Sequence, residues 1–192
     1  MAETAPRLWT VDEFLAWDDG TDRRYQLLSG AITMMAPPPA IHGRLVSRLD
    51  RLLGSQLRPP CEPVTGAGVK PAHRNDAYYL ADLAVTCRPF ERGETHLHEP
   101  VIVIEVLTSA TAATDRLEKL DDYRLVPSIT DILLVADTQV AIEHWHRWGD
   151  VWVVATRRAG ERVDVAALGI SIDVAALYAD LALGPPTAPA RD

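Results

Sequence analysis

Apolar residues recur along this chain in two periods, and the switches between them mark out its elements. Ile41, Leu45, Leu49, Leu52 and Leu53 fall on one face of a helix predicted from about Ala40 to Leu57, which Pro59-Pro60 ends. Tyr78–Thr86, Pro100–Leu107 and Thr130–Ala136 are short, nearly continuous apolar runs of strand length. Glu62–Val64 and Gly68–Lys70 are weaker strand candidates, and Arg88–Glu99 is polar and loop-like. Two hairpins are expected: Arg23–Leu28 with Ala31–Met35 across Ser29-Gly30, and Val140–Arg147 with Val151–Thr156 across Gly149-Asp150. Thr10 and Glu13 fit a capping box opening a short first helix. Thr111 to about Leu125 reads as another helix, Arg162–Val165 as a last strand and Val174–Leu181 as a closing helix.

No repeat or linker divides this pattern. It predicts a single α/β domain over residues 1–183 with a mixed central β-sheet flanked by helices, and a disordered Pro-rich tail over 184–192. A length of 192 residues suits one domain. The net charge of −8 supplies no general attraction to polyanions, so a nucleic-acid partner would need a local basic patch. No apolar run approaches the ~20 residues of a membrane helix, and the first seven residues lack the basic head and apolar run of a secretory signal. Two cysteines, Cys61 and Cys87, without a CxxC pattern argue against a disulfide scaffold or a cysteine zinc site. A reducing cytoplasm is the expected compartment.

Candidate chemistry begins with two acids that interrupt apolar strands, Asp82 and Glu105. A buried carboxylate needs a cation or several donors. Strands lie ~4.8 Å apart, so carboxylates on neighbouring strands can share a hard cation such as Mg²⁺. Pairing of each acid with an arginine or a helix N-terminus remains the alternative. Asp115, Lys119 and Tyr123 follow at spacings of four on one helix face. That spacing fits an ordinary surface ion pair, and equally a lysine returned toward the acids.

Asp82, Glu105-Val106-Leu107-Thr108-Ser109-Ala110-Thr111, Asp115-Arg116-Leu117-Glu118-Lys119 and Tyr123–Ser128 together resemble the Uma-type endonucleases of the PD-(D/E)XK nuclease superfamily. The resemblance runs from about Thr10 to Thr156 and takes in the Tyr25–Ile32 hairpin, Met35-Ala36-Pro37, His42 and Asp131–Val135. It implies a restriction-endonuclease-like fold and a Mg²⁺- or Mn²⁺-dependent endonuclease acting on nucleic acid, with DNA as the leading substrate. By the same resemblance Asp82, Glu105 and Lys119 are the catalytic residues, and Asp82, Glu105 and the Val106 main-chain carbonyl are the metal ligands. Lys119 matches a lysine that sits on the following helix in this family, while Leu107 holds the usual lysine position. Gln26, His42, Asp115 and Tyr123 are expected around this centre. Gln26 stands where the family commonly has glutamate, and Ala81 replaces the proline of the PD pair, so a weaker metal site is expected.

Arg44, Arg48 and Arg51 repeat along the long helix as candidate phosphate contacts, or as a solvated face. His96-Leu97-His98 and His144-Trp145-His146 each put two rings on one strand face, but neither has a third ligand at a recognised zinc spacing, so solvated or packed histidines are expected. The alternatives to a nuclease are an inactive nucleic-acid-binding module on the same fold and a homodimer-forming interaction protein whose late hairpin is the contact.

Overall fold

The computed structural model describes residues 7–108, 111–181 and 183. The expected tail, 184–192, lies outside them. Among the described residues, ten strands and five short or medium helices follow in the order the sequence predicts, with β10 added. The centre is a six-stranded sheet of β3 (Glu62–Val69), β4 (Tyr79–Thr86), β5 (Pro100–Leu107), β6 (Asp131–Ala136), β7 (Ala141–Trp148) and β8 (Val151–Arg158), adjacent in that order. Only β5 and β6 run parallel, because the intervening helical segment carries the chain back across the sheet. The sheet is therefore mixed, as expected.

One face of the sheet packs on α2 (Ala40–Gly54) and α5 (Val174–Tyr178). Leu45, Leu49 and Leu53 meet Leu83, Val85, Ile102, Ile104 and Leu133 there, all fully buried. A small sheet of β9 (Arg162–Val165) and β10 (Ile170–Asp173) closes the same side. The other face packs on α3 (Ala112–Thr114), a π-helical turn (Asp115–Lys119) and α4 (Leu120–Leu125), through Val103, Leu107, Leu120, Tyr123 and Leu134. The first hairpin, β1 (Tyr25–Leu28) and β2 (Ala31–Met34), turns at Ser29 and Gly30, both at positive φ as a tight two-residue hairpin requires. It joins the β4 end through Leu27 and Tyr78. Short α1 (Val11–Leu15) has the capping box between Thr10 and Glu13.

Two expectations need correction. The separate weak strands around Glu62 and Gly68 are one strand, β3. Gly68 continues it because the Tyr78 hydroxyl and the Thr95 carbonyl occupy the space a side chain would need. The cysteines are joined: Cys61 and Cys87 form a disulfide with Cα atoms 3.7 Å apart. They lie one step beyond the Glu62–Thr86 pair of the β3–β4 ladder, a juxtaposition invisible in their spacing of 26. The cysteine count therefore no longer argues for a reducing compartment. No helix among the described residues is long and apolar enough to cross a membrane.

Candidate active site

The candidate centre forms where the sheet opens. The β4–β5 ladder ends at Leu83–Ile104, and Asp82 and Glu105 are the next residue on each strand. On its other side, Asp82 faces Gly66, the one position between Thr65 and Ala67 at which the β3–β4 pairing is interrupted. Gly66 has φ +59°, a conformation that side chains resist. Asp82 thus sits on a strand released by both neighbours. Its side chain keeps 16% exposure, while that of Glu105 keeps 2%.

Freed backbone groups meet side chains here. The Val106 N–H donates to Asp82 Oδ2 at 2.7 Å, and the Asp82 N–H makes a long 3.4 Å contact to Glu105 Oε2. A residue in an extended strand directs its N–H and C=O toward the same neighbour. The Val106 carbonyl therefore faces the Asp82 side as well. His42, at the start of α2, brings Nε2 to 3.0 Å from Asp82 Oδ2.

Glu105 Oε1 accepts from Lys119 Nζ at 3.1 Å and from the Tyr123 hydroxyl at 2.7 Å. Lys119 also reaches Asp115 Oδ1 at 3.0 Å. This ion pair is buried, with side-chain exposures of 4% and 3%, so the surface-pair alternative is corrected. The π turn brings it indoors: its first and last residues, Asp115 and Lys119, are buried, while Arg116, Leu117 and Glu118 are exposed. Tyr123 is held in turn by an edge-on contact with Tyr79, at 5.6 Å between ring centres. Tyr79 donates its hydroxyl to Asp122, which also takes His73 and Arg74. That supporting network was not foreseen from the sequence, where His73, Arg74 and Asp122 stand in polar stretches without a distinguishing pattern.

The electrostatics follow from burial and crowding. Burial pushes the Glu105 carboxyl up to about 8, with Asp115 and Asp82 adding to the rise and Lys119 and the Tyr123 hydroxyl opposing it. Burial alone would lower Lys119, but Glu105 and Asp115 outweigh it and hold the ammonium charged. Burial, and then Glu105, raise the Tyr123 hydroxyl well above its ordinary value. Two carboxyl groups, Glu105 and Asp115, face one ammonium in a nearly dry space, with Asp82 beside Glu105.

Gln26 is buried on β1, and its Oε1 has no hydrogen-bond partner. The arginines are elsewhere. Arg44, Arg48 and Arg51 line a shallow groove with Ala40, Gly43 and Ser47, and none bonds to the acids. Arg48 donates to the Leu177 carbonyl at 2.9 Å and to that of Ala179, tying α2 to the end of α5. Arg48 thus spends one guanidinium nitrogen, Nη1, on these two carbonyls. At a different place on the sheet, Asp131, His144 and His146 converge, supplying the third ligand that the His-x-His spacing lacked. The sequence does not signal Asp131, which lies 13 and 15 residues before the two histidines and meets them only through the β6–β7 pairing.

A family model described as "Putative restriction endonuclease", named Uma2, matches residues 11–175. The chain belongs to the Uma2 family. Two uncharacterized proteins of Synechocystis sp. are similar to it: one is 29% identical over 92% of this chain and 94% of its own length, the other 22% identical over 86% and 96%. A crystal structure from Anabaena variabilis, described as a "putative nuclease belonging to DUF820", superposes with a TM-score of 0.65 at 16% identity, covering 88% of this chain and 97% of that one. That likeness supports the restriction-endonuclease-like α/β fold expected from the sequence. Within the Uma2 frame, Asp82, Glu105 and Lys119, with His42, Asp115 and Tyr123, form one contiguous cluster here.

Proposed function

We propose that this Uma2 chain is a nuclease that hydrolyses phosphodiester bonds of nucleic acid, DNA first, with Mg²⁺ or Mn²⁺. The observation that carries the reading is the convergence of Asp82, Glu105 and Lys119 at the opening between β4 and β5. The donor set fits a hard dication. Glu105 is a desolvated carboxylate whose Oε2 has only one long contact, Asp82 is a partly exposed carboxylate beside it, and the Val106 carbonyl faces the same side. Those three groups would hold the ion. Bound there, it would polarise a phosphoryl oxygen and acidify a water.

The chain's own residues supply the rest. Lys119, kept charged by Glu105 and Asp115, places an ammonium beside the reacting phosphate, where it orients the attacking water or stabilises charge developing on phosphorus. Tyr123 and Asp115 fix Glu105 and Lys119 from behind. His42 aligns Asp82 from the α2 side. Asp82→Asn is expected to lower plasmid nicking by at least ~100-fold and to weaken Mn²⁺ binding in calorimetry, with the circular dichroism spectrum unchanged. Undiminished nicking by this variant would remove Asp82 from the mechanism.

One observation favours a second reading, a nucleic-acid-binding module without turnover. Gln26 brings a neutral amide where the family commonly has glutamate, and its buried Oε1 is unpartnered. An orphan acceptor costs ~1–3 kcal/mol, a cost that a cation or its water would relieve. Gln26→Glu is expected to tighten Mn²⁺ binding at least about tenfold, since a carboxylate adds full Coulomb attraction to a dication. Cleavage that rises with it supports the nuclease, whereas tighter metal binding with no cleavage in either form supports the binding module. A homodimer would use the late hairpin, where Trp148 at the end of β7 and Val151, Val153 and Val154 on the edge strand β8 are exposed.

A further inference from the structure

We propose that Asp131, His144 and His146 form a second metal site, which takes Zn²⁺ through three side chains and leaves a fourth position open to solvent. The inference does not depend on the nuclease reading. Asp131 opens β6 and pairs with His146 across the β6–β7 ladder, and His144 lies two residues along on the same face. His144 Nε2 is 2.7 Å and His146 Nδ1 3.0 Å from the same oxygen, Asp131 Oδ1. The other oxygen, Oδ2, accepts from Thr130 Oγ1 at 2.8 Å. One carboxylate oxygen is thus anchored by a neighbour, and the other is the point on which two imidazole nitrogens converge.

The chemistry of the set suits zinc. Two imidazole nitrogens and one carboxylate oxygen, with a position left for water, are a common three-ligand zinc arrangement. The three ligand atoms lie within 4.8 Å of one another. Zinc–ligand bonds of ~2.0–2.2 Å at tetrahedral angles place ligand atoms roughly 3.3 Å apart. The two nitrogen–oxygen distances of 2.7 and 3.0 Å therefore open by a few tenths of an ångström, while the two nitrogens, within 4.8 Å of each other, settle at the same spacing. Thr130 supplies the outer hydrogen bond that orients a ligating carboxylate. Asp131 is fully buried, and three side chains, His144, Thr130 and His146, hold its two oxygens in place. His146, with 30% of its side chain exposed, gives the ion a path and the open position its water.

The site is distinct from the Asp82–Glu105 centre. Ile102 is the β5 partner of Asp131 and Leu134 that of Glu105, a separation of three residues or roughly 10 Å along the strands. Asp131 alternates with Leu133 and Val135, which face α2, while Glu105 alternates with Val103 and Leu107 on the opposite face. The ion would clamp β6 to β7 at the end of the sheet where Arg147 already holds the carbonyls of Ile129, Arg124 and Val126.

The test uses the full chain without a histidine tag, stripped with chelator and titrated with Co²⁺. Tetrahedral Co²⁺ with nitrogen ligands absorbs strongly in the visible, whereas octahedral oxygen-ligated Co²⁺ absorbs weakly. The expected result is an intense band that saturates at one ion per chain and disappears on adding Zn²⁺. It should persist in Asp82→Asn and be lost in His146→Ala and His146→Gln. Zn²⁺ should raise the thermal midpoint of the wild-type chain and leave that of His146→Gln unchanged, which reads the site even if the alanine variant folds poorly. Absence of the band in the wild-type chain would overturn the site and leave a hydrogen-bonded cluster only. Its survival in His146→Gln, or its loss in Asp82→Asn, would overturn the assignment to these residues.

Discussion

Lys119→Ala is expected to be the most damaging single change in this protein. Among the described residues the ammonium is the one cation bonded to both Glu105 and Asp115, and all three side chains are almost fully buried. Its removal leaves Asp115 in a dry space without its counter-ion and Glu105 without a donor, a type of loss that costs ~3–5 kcal/mol. For a domain of this size each kcal/mol shifts the melting temperature by about 2–4 °C, so a fall of roughly 6–20 °C is expected in a thermal melt. Nucleic-acid cleavage should fall by at least ~100-fold, because the group beside the reacting phosphate is gone. Adding Mn²⁺ should restore part of the lost stability, since an ion that binds only the folded chain stabilises it. An unchanged melting temperature would mean that the buried ion pair contributes nothing, and unchanged cleavage would take Lys119 out of the chemistry.

The stability of the metal-free chain should fall as pH rises toward 8. Glu105 titrates near its ordinary value of 4.5 when unfolded and at about 8 when folded, chiefly because burial disfavours its charge. Between those values the folded chain binds the proton and the unfolded chain does not. Stability contributed by this group is therefore complete below about 4.5 and lost progressively as pH rises through the window to about 8. Urea unfolding across that range should show the decline in the wild-type chain relative to Glu105→Gln, which keeps the shape and cannot titrate. Parallel pH profiles for the two proteins would show that Glu105 is ionised throughout. A bound dication should flatten the wild-type curve, because it favours the carboxylate.

The strands and helices around the centre were legible because burial imposes period. β5 runs from Pro100 to Leu107 as its apolar run predicts, and the two acids stood out as charges inside such runs. Their partners were less visible. Lys119 and Asp115 look like any i, i+4 pair, and only the packing of the helical segment against the sheet makes them interior. The two weak strand candidates around Glu62 and Gly68 do not display the continuity of β3, in which Gly66 marks the interruption beside Asp82 and Gly68 a close approach by Tyr78. β10 was missed: four residues, Ile170–Asp173, are too short to show a period. The disulfide and the Asp131 cluster depend on register between strands, which a single sequence does not display.

The π-helical turn makes one stretch of the chain permissive to replacement and intolerant of a change in length. Arg116, Leu117 and Glu118 project outward, so exchanging any of them for another helix-forming residue leaves the interior untouched. Deleting one would close the wide turn to an ordinary one and leave Asp115 and Lys119 three residues apart, still neighbours on one face but displaced along the axis by about 1.5 Å. A mutational scan of this segment should therefore show near-neutral substitutions at three consecutive positions where each single-residue deletion weakens the Asp115–Lys119–Glu105 contacts and lowers the melting temperature.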